Sequence, residues 1–240
     1  MLAIETKKLT KKYKQKTAVN GIDLKINQGE LFALLGTNGA GKTTTIKMLS
    51  TLIMPTEGEI KINGLDIIKD RQKIKEILNV SPQETAIAQN LSVKENLEFM
   101  AGVYQIPNRE EKINELIKMF KLEEVLNQKA KTLSGGWQRK VSIAISLIND
   151  PKILFLDEPT LGLDVIARKE LWSVIRGLKG KITIILTTHY MEEAESLSDK
   201  IGIMAKGNLV DVGTADELTK RAECENFEDA FVKIATGGEC

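Results

Sequence analysis

The chain has 240 residues, enough for one sizeable core that can be divided into two subdomains. With 42% hydrophobic and 28% charged residues and a formal net charge of +1, it lacks the global basic field that nucleic acid would require of a partner. Its two cysteines, Cys224 and Cys240, form no CxxC pair, which excludes a disulfide framework or a cysteine-rich zinc site and suits a reducing cytosol.

Taken in chain order, the sequence begins Met1-Leu2-Ala3-Ile4-Glu5, without the basic-then-apolar pattern of a signal peptide. Lys7, Lys8, Lys11, Lys12, Lys14 and Lys16 form a local basic run, read as solubilising the edge of a sheet, with attraction of phosphate or an anionic membrane surface as the alternative. Leu24 to Ile26 and Leu31 to Leu35 read as strands. The second runs directly into Gly36-Thr37-Asn38-Gly39-Ala40-Gly41-Lys42-Thr43, and Thr44 to Leu52 then reads as a helix ending before Pro55. From about Thr85 to Ile148 the pattern is helical. Ser92 and Glu95 form a capping box, Val93, Leu97, Met100 and Tyr104 share one helical face, and Ile113, Leu116, Ile117 and Phe120 share another. The last third alternates again. Ile153 to Leu156 and Thr183 to Thr187 read as buried strands, and Val165 to Leu178 and Tyr190 to Leu197 as helices. Ile201 to Ala205 and Leu209 to Val212 flank Lys206-Gly207-Asn208 as a hairpin. Thr214 to Glu217 is a second capping box, and Phe227, Phe231 and Ile234 mark a final amphipathic helix. No apolar run is long enough to span a bilayer, so work at a membrane would require docking onto another chain.

Two of these junctions carry chemistry. Gly36 to Thr43 fits GxxxxGK[ST], in which glycines let backbone N–H groups curl around a triphosphate and the following helix aims its positive end at it. Gly36, Thr37, Asn38, Gly39, Ala40, Gly41, Lys42, Thr43 and Thr44 are the expected ATP contacts, with Lys42 on the β- and γ-phosphates and the Thr43 hydroxyl on Mg²⁺. Lys42 is expected to be an exposed loop lysine with phosphate as its only strong partner. The strand Ile153 to Leu156 ends in Asp157-Glu158. Asp157 is expected to hold Mg²⁺ and Glu158 to polarise the attacking water, with strand alternation sending the two side chains in different directions.

Leu133-Ser134-Gly135-Gly136-Trp137 resembles the signature sequence of the ATP-binding-cassette (ABC) family, usually Leu-Ser-Gly-Gly-Gln, and precedes a helix read over Gln138 to Ile148. The resemblance covers nearly the whole chain. It implies an α/β fold: a P-loop NTPase core with an N-terminal antiparallel β subdomain and an inserted α-helical subdomain. The nucleotide-binding core would be residues 1–84 and 150–240, and the helical subdomain with the signature residues 85–149. By the same resemblance Ser134, Gly135 and Gly136 close over the ATP of a second ABC subunit, and Tyr13 stacks on adenine. Gln83 touches Mg²⁺ and senses the membrane partner, Asp164 communicates across the dimer, and His189 contacts the γ-phosphate as a switch histidine. Trp137 departs from the family's Gln, which leaves open whether it packs on the partner or on its own core.

The implied protein is an ATPase on the cytoplasmic face of the membrane that energises an integral membrane permease by closing a cassette dimer. Thr187 to Glu195 and Gly213-Thr214 resemble the branch that exports drugs, antibiotics, polysaccharides or ions, with an import subunit as the close alternative. Ribosome-acting members usually carry two cassettes, and DNA-acting members a long insertion between the phosphate loop and the Asp157 strand; neither feature is present. A regulator without turnover is disfavoured by the retained Glu158.

Overall fold

The computed structural model describes residues 1–238; Cys240, weighed above, lies outside the described residues. Strands β1 (Leu2–Tyr13) and β2 (Lys16–Asn27) form an antiparallel hairpin. With β4 (Glu57–Ile62) and β5 (Leu65–Asp66) they make a four-stranded sheet in the order β2-β1-β4-β5. The sequence reading gave only Leu24 to Ile26 here. The reason is visible in the register, which shifts between Thr6 and Leu9 and again between Leu9 and Lys11, with Lys8 at φ 48°. Each bulge resets the period-two alternation by which a half-buried strand is recognised. Lys7, Lys8, Lys11 and Lys12 therefore lie on a strand flanked on both sides, by β2 and β4, while Lys14 is in the turn and Lys16 begins the edge strand β2.

The second sheet has six strands in the order β10-β9-β3-β8-β7-β6. They are β3 (Leu31–Leu35), β6 (Leu78–Ser81), β7 (Ile153–Asp157), β8 (Thr183–Thr188), β9 (Lys200–Ala205) and β10 (Asn208–Gly213). All neighbours pair in parallel except β9 and β10, which form the expected hairpin. The continuous apolar runs are explained by burial on both faces. Leu31, Ala33 and Leu35 of β3 join one core with Leu154, Leu156 and Leu186. Phe32 and Leu34 point into the other, with Phe155, Ile185 and the inward side chains of the four-stranded sheet.

Helix α1 (Lys42–Leu49) leaves β3 and stops where Thr51 turns left-handed at φ 65°, shorter than the predicted span. Helix α2 (Arg71–Ile77), unpredicted, leads into β6. Helices α3 (Val93–Val103) and α4 (Arg109–Phe120) carry the expected apolar faces, although Tyr104 lies on the exposed side of α3's C-terminus. Helix α5 (Gly135–Ser146) begins three residues before the predicted start, because Ser134 adopts the extended N-cap conformation and both glycines enter the helix. Helices α6 (Val165–Leu178) and α7 (Met191–Leu197) cover the six-stranded sheet, and α8 (Ala215–Ala222) and α9 (Phe227–Thr236) close the chain. Both capping boxes form, at Ser92/Glu95 and at Thr214/Glu217. No helix among the described residues is long and apolar enough to cross a membrane.

Candidate functional site

At the C-terminal end of β3 the chain folds into a tight loop before α1. A Cβ on Gly36 would lie 2.4 Å from the Met204 carbonyl oxygen. Gly41 sits at φ 106°, where a Cβ would lie 2.6 Å from the Ala18 carbonyl. Both positions therefore require glycine, and the loop bends so that it and the N-terminus of α1 line one cavity of about 460 Å³. Asn38, Gly39, Ala40, Gly41, Lys42, Thr43 and Thr44 line it, opposite Gln83, Glu158 and His189.

Lys42 departs from the expectation of an exposed lysine. It is 5% exposed, and its ammonium donates to the Gly36 carbonyl at 2.7 Å and lies 3.2 Å from Glu158 Oε1. The other Glu158 oxygen, Oε2, is 2.5 Å from His189 Nδ1. One carboxylate thus ties the loop lysine to the residue after β8.

Asp157 is also buried, and its Oδ1 accepts from the Thr43 hydroxyl at 3.1 Å and from the Thr187 hydroxyl at 2.5 Å. The two acids do diverge, but strand alternation is not the cause. Strand β7 ends at Asp157, and Glu158 is left-handed at φ 49°, a conformation uncommon for a non-glycine residue. Thr187 holds that turn by accepting the Glu158 N–H at both its carbonyl (3.2 Å) and its hydroxyl (3.0 Å).

The remaining predicted residues lie around this centre. Tyr13 is 47% exposed at the β1–β2 turn with the Lys11 ammonium over its ring, so it is not a core aromatic. Its neighbours across the turn, Lys16 and Ala18, do line the cavity, as does Leu161; of these only Lys16, in the basic run, carries a phosphate alternative from the sequence. Ser134 is exposed and caps α5 in conformation, but its side chain makes no capping hydrogen bond, which leaves the first N–H groups of α5 without that partner. Gly136 lies against Ala167 of α6, where a Cβ would approach to 3.2 Å. Trp137 packs on its own core with the Lys140 ammonium over its ring. Asp164 caps α6, accepting from the N–H groups of Ile166 and Ala167. Behind His189, the fully buried Glu193 accepts from Thr160 and from the Trp172 indole, and its burial pushes its carboxyl pKa up.

The profile of the family described as ABC transporter matches residues 19–161, more than half of the chain. The chain belongs to the ABC transporter family. The "Daunorubicin resistance ATP-binding protein DrrA3" of Streptomyces coeruleorubidus is 38% identical over 211 residues, covering 87% of this chain and 67% of that protein. The "Probable multidrug ABC transporter ATP-binding protein YbhF" of Escherichia coli (strain K12) is 37% identical over 239 residues, 96% of this chain, which spans only 41% of YbhF. Among solved structures, an ATP-binding subunit of an ABC transporter superposes with TM-score 0.87 at 28% identity, covering 97% of this chain and 99% of that one. A dimeric post-hydrolysis cassette, MJ0796 bound to ADP and phosphate, gives TM-score 0.79 at 27% identity over 88% of this chain and 98% of that one. The fold is that of an ABC cassette, with an antiparallel sheet beside a mainly parallel phosphate-loop sheet.

The residues of this ABC cassette fit its nucleotide. The cradle formed around Gly36 and Gly41 leaves room for an anion against α1. Mg²⁺ bound to phosphates needs only one or two protein oxygens. The Thr43 hydroxyl and the Asp157 carboxylate, in direct contact at one edge of the loop, are oxygen donors that would suit it.

Proposed function

We propose that this cassette binds and hydrolyses Mg·ATP to energise a membrane transporter, most closely an exporter; its relatives are named for multidrug transport and daunorubicin resistance. The observation that carries the reading is the convergence of Lys42, Glu158 and His189 on the wall of the phosphate-loop cavity. In this reading residues 36–44 cradle the phosphates and Tyr13 stacks on adenine. Thr43, Asp157 and Gln83 hold Mg²⁺, which neutralises phosphate charge. Glu158 orients water as the general base, and His189 positions Glu158 and meets the γ-phosphate. A phosphate must compete with Glu158 for the Lys42 ammonium, so substrate docking also frees a Glu158 oxygen.

The exposed Ser134, with Gly135 and Gly136, then meets the ATP of a second copy, with Asp164 near the same seam. Residues 85–149 act as the helical subdomain and 1–84 with 150–240 as the nucleotide-binding core. An integral membrane permease supplies the transport path, and places the cassette at the cytoplasmic face of the membrane. A groove of about 870 Å³, lined by Leu52, Arg71, Lys75, Tyr104 and Ile106 where the helices meet the sheet, offers it a seat.

The test is Glu158→Gln. The Thr43 and Asp157 contacts do not depend on the Glu158 charge, so the variant is expected to bind Mg·ATP, turn over very slowly and run as a dimer on sizing chromatography with ATP. Adding Ser134→Arg is expected to return it to a monomer. Wild-type turnover by Glu158→Gln would remove Glu158 from the chemistry and the reading with it.

A further inference from the structure

Arg139 has no part in the reading above, yet few side chains in the molecule are more constrained. It lies in the second turn of α5 and is 3% exposed. Arginines that deeply buried are rare without strong partners. Its partners are three main-chain carbonyls. Nη1 donates to Pro82 O at 2.6 Å, and Nη2 donates to Asp157 O at 3.2 Å and to Glu158 O at 2.7 Å. Burial pulls its pKa down, and the Asp157, Glu193 and Glu158 charges nearby oppose that pull.

The place of these carbonyls in the sheet explains the arrangement. Strands β6 and β7 pair in parallel as far as Ser81 opposite Leu156. One residue further on they part, and on this side of the sheet Pro82, Asp157 and Glu158 have no strand neighbour to satisfy their carbonyls, although Asp157 still pairs with Thr187 of β8. Parting strands at the C-terminal edge of a parallel sheet create the crevice in which ligands bind. The guanidinium forks across this parting. A planar fork can hold two divergent segments at once, which a single ammonium cannot. One segment continues into Gln83. The other is the left-handed turn that aims the Glu158 carboxylate at Lys42 and His189. Thr187 holds that turn by its N–H, from the β8 side, and Arg139 holds it by its C=O, from the β6 side.

We propose that Arg139 is a positioning residue for hydrolysis: by clamping the carbonyls of Pro82, Asp157 and Glu158 it fixes the Glu158 turn and the approach to Gln83 relative to each other. It touches no nucleotide. Because it rides on α5, it also links the Ser134 end of that helix to the Glu158 of the same chain, which the dimer reading places in different ATP sites. The inference rests on the hydrolytic reading above, and wild-type turnover tests that reading separately.

The experiment compares Arg139→Lys with wild type, using Arg139→Met as a harsher second variant, with ATP affinity, single-turnover hydrolysis and melting temperature measured on each. Lysine keeps the buried charge but reaches one side of the parting at a time. Misplacing a catalytic group by about 1 Å costs on the order of 10²-fold, so the hydrolysis rate of Arg139→Lys is expected to fall roughly 10- to 100-fold while its ATP affinity stays within about threefold. In the Glu158→Gln background the same substitution is expected to cost little more, because the group it positions is already disabled. Full activity of Arg139→Lys, a parallel loss of affinity and rate, or an undiminished rate loss in the Glu158→Gln background would each overturn the proposal.

Discussion

Thr187→Val isolates one link of the site almost without changing its volume. The hydroxyl donates to the buried Asp157 carboxylate at 2.5 Å and accepts the Glu158 N–H at 3.0 Å. Loss of a hydrogen bond to a charged acceptor costs about 1.5–3 kcal/mol. The Glu158 N–H retains the Thr187 carbonyl at 3.2 Å, so the second bond is only partly lost and adds little. Asp157 also keeps the Thr43 hydroxyl, which favours the middle of that range, about 2 kcal/mol. At roughly 2–4 °C per kcal/mol for a domain of this size, the melting temperature is expected to fall by about 4–8 °C. Thr183→Val in the same strand is the control. Its hydroxyl only accepts the neutral Gly29 N–H, and it is expected to lose about 1 kcal/mol. Differential scanning calorimetry on the three proteins decides the matter. Equal shifts for the two variants, or a shift under about 1 °C for Thr187→Val, would refute the assignment of that bond to a charged, buried carboxylate.

Two further outcomes are expected. Tyr13→Ala is expected to weaken ATP binding by about 1–3 kcal/mol, the scale of base–aromatic stacking, with the melting temperature nearly unchanged because the ring is exposed; normal binding in calorimetric titration would remove Tyr13 from the adenine site. Glu193 has a folded-state pKa raised by burial above its ordinary value of 4.5, so the folded chain binds more protons than the unfolded one as pH rises through that value, and stability falls. Glu193→Gln removes that titration, and its melting temperature relative to wild type is expected to climb as pH is raised from about 4.5 towards the raised pKa; a difference independent of pH would show that burial of the charge is not the cause.

Most of the six-stranded sheet was legible in the sequence, because strands buried on both faces need no alternation to be recognised and their ends carry the glycine loop and the acidic pair. The four-stranded sheet was mostly not. Strand β1 carries lysines where the bulged register lets them point out, and β4 reads Glu57-Gly58-Glu59-Ile60-Lys61-Ile62, with only two apolar residues to mark its inner face. Gly58 there has φ 93° and a Cβ on it would meet the Lys8 carbonyl at 2.4 Å, so a residue that looks like a turn is a close strand crossing. Helix α2 and strand β6 meet without a break at Ile77 and Leu78, which leaves no punctuation to separate them.

The site divides along the same physical line. Residues that must meet phosphate or metal are confined to a loop of consecutive positions or to a strand end, and their spacing along the chain betrays them. Residues that hold those groups in place are confined only in space. Thr187 is 30 positions from the Asp157 it supports, and Arg139 reaches Pro82 across 57. Nothing in the run Trp137-Gln138-Arg139-Lys140 says which cation is buried. Lys140, one residue on, is equally hidden, yet it pairs with Glu170 on α6 and never approaches the nucleotide cavity. The two differ because α5 turns about 100° per residue, aiming position 139 at the parting of β6 and β7 and position 140 at α6. Helical phase relative to the neighbours fixes that choice, and it is set by how α5 packs between β6 and α6.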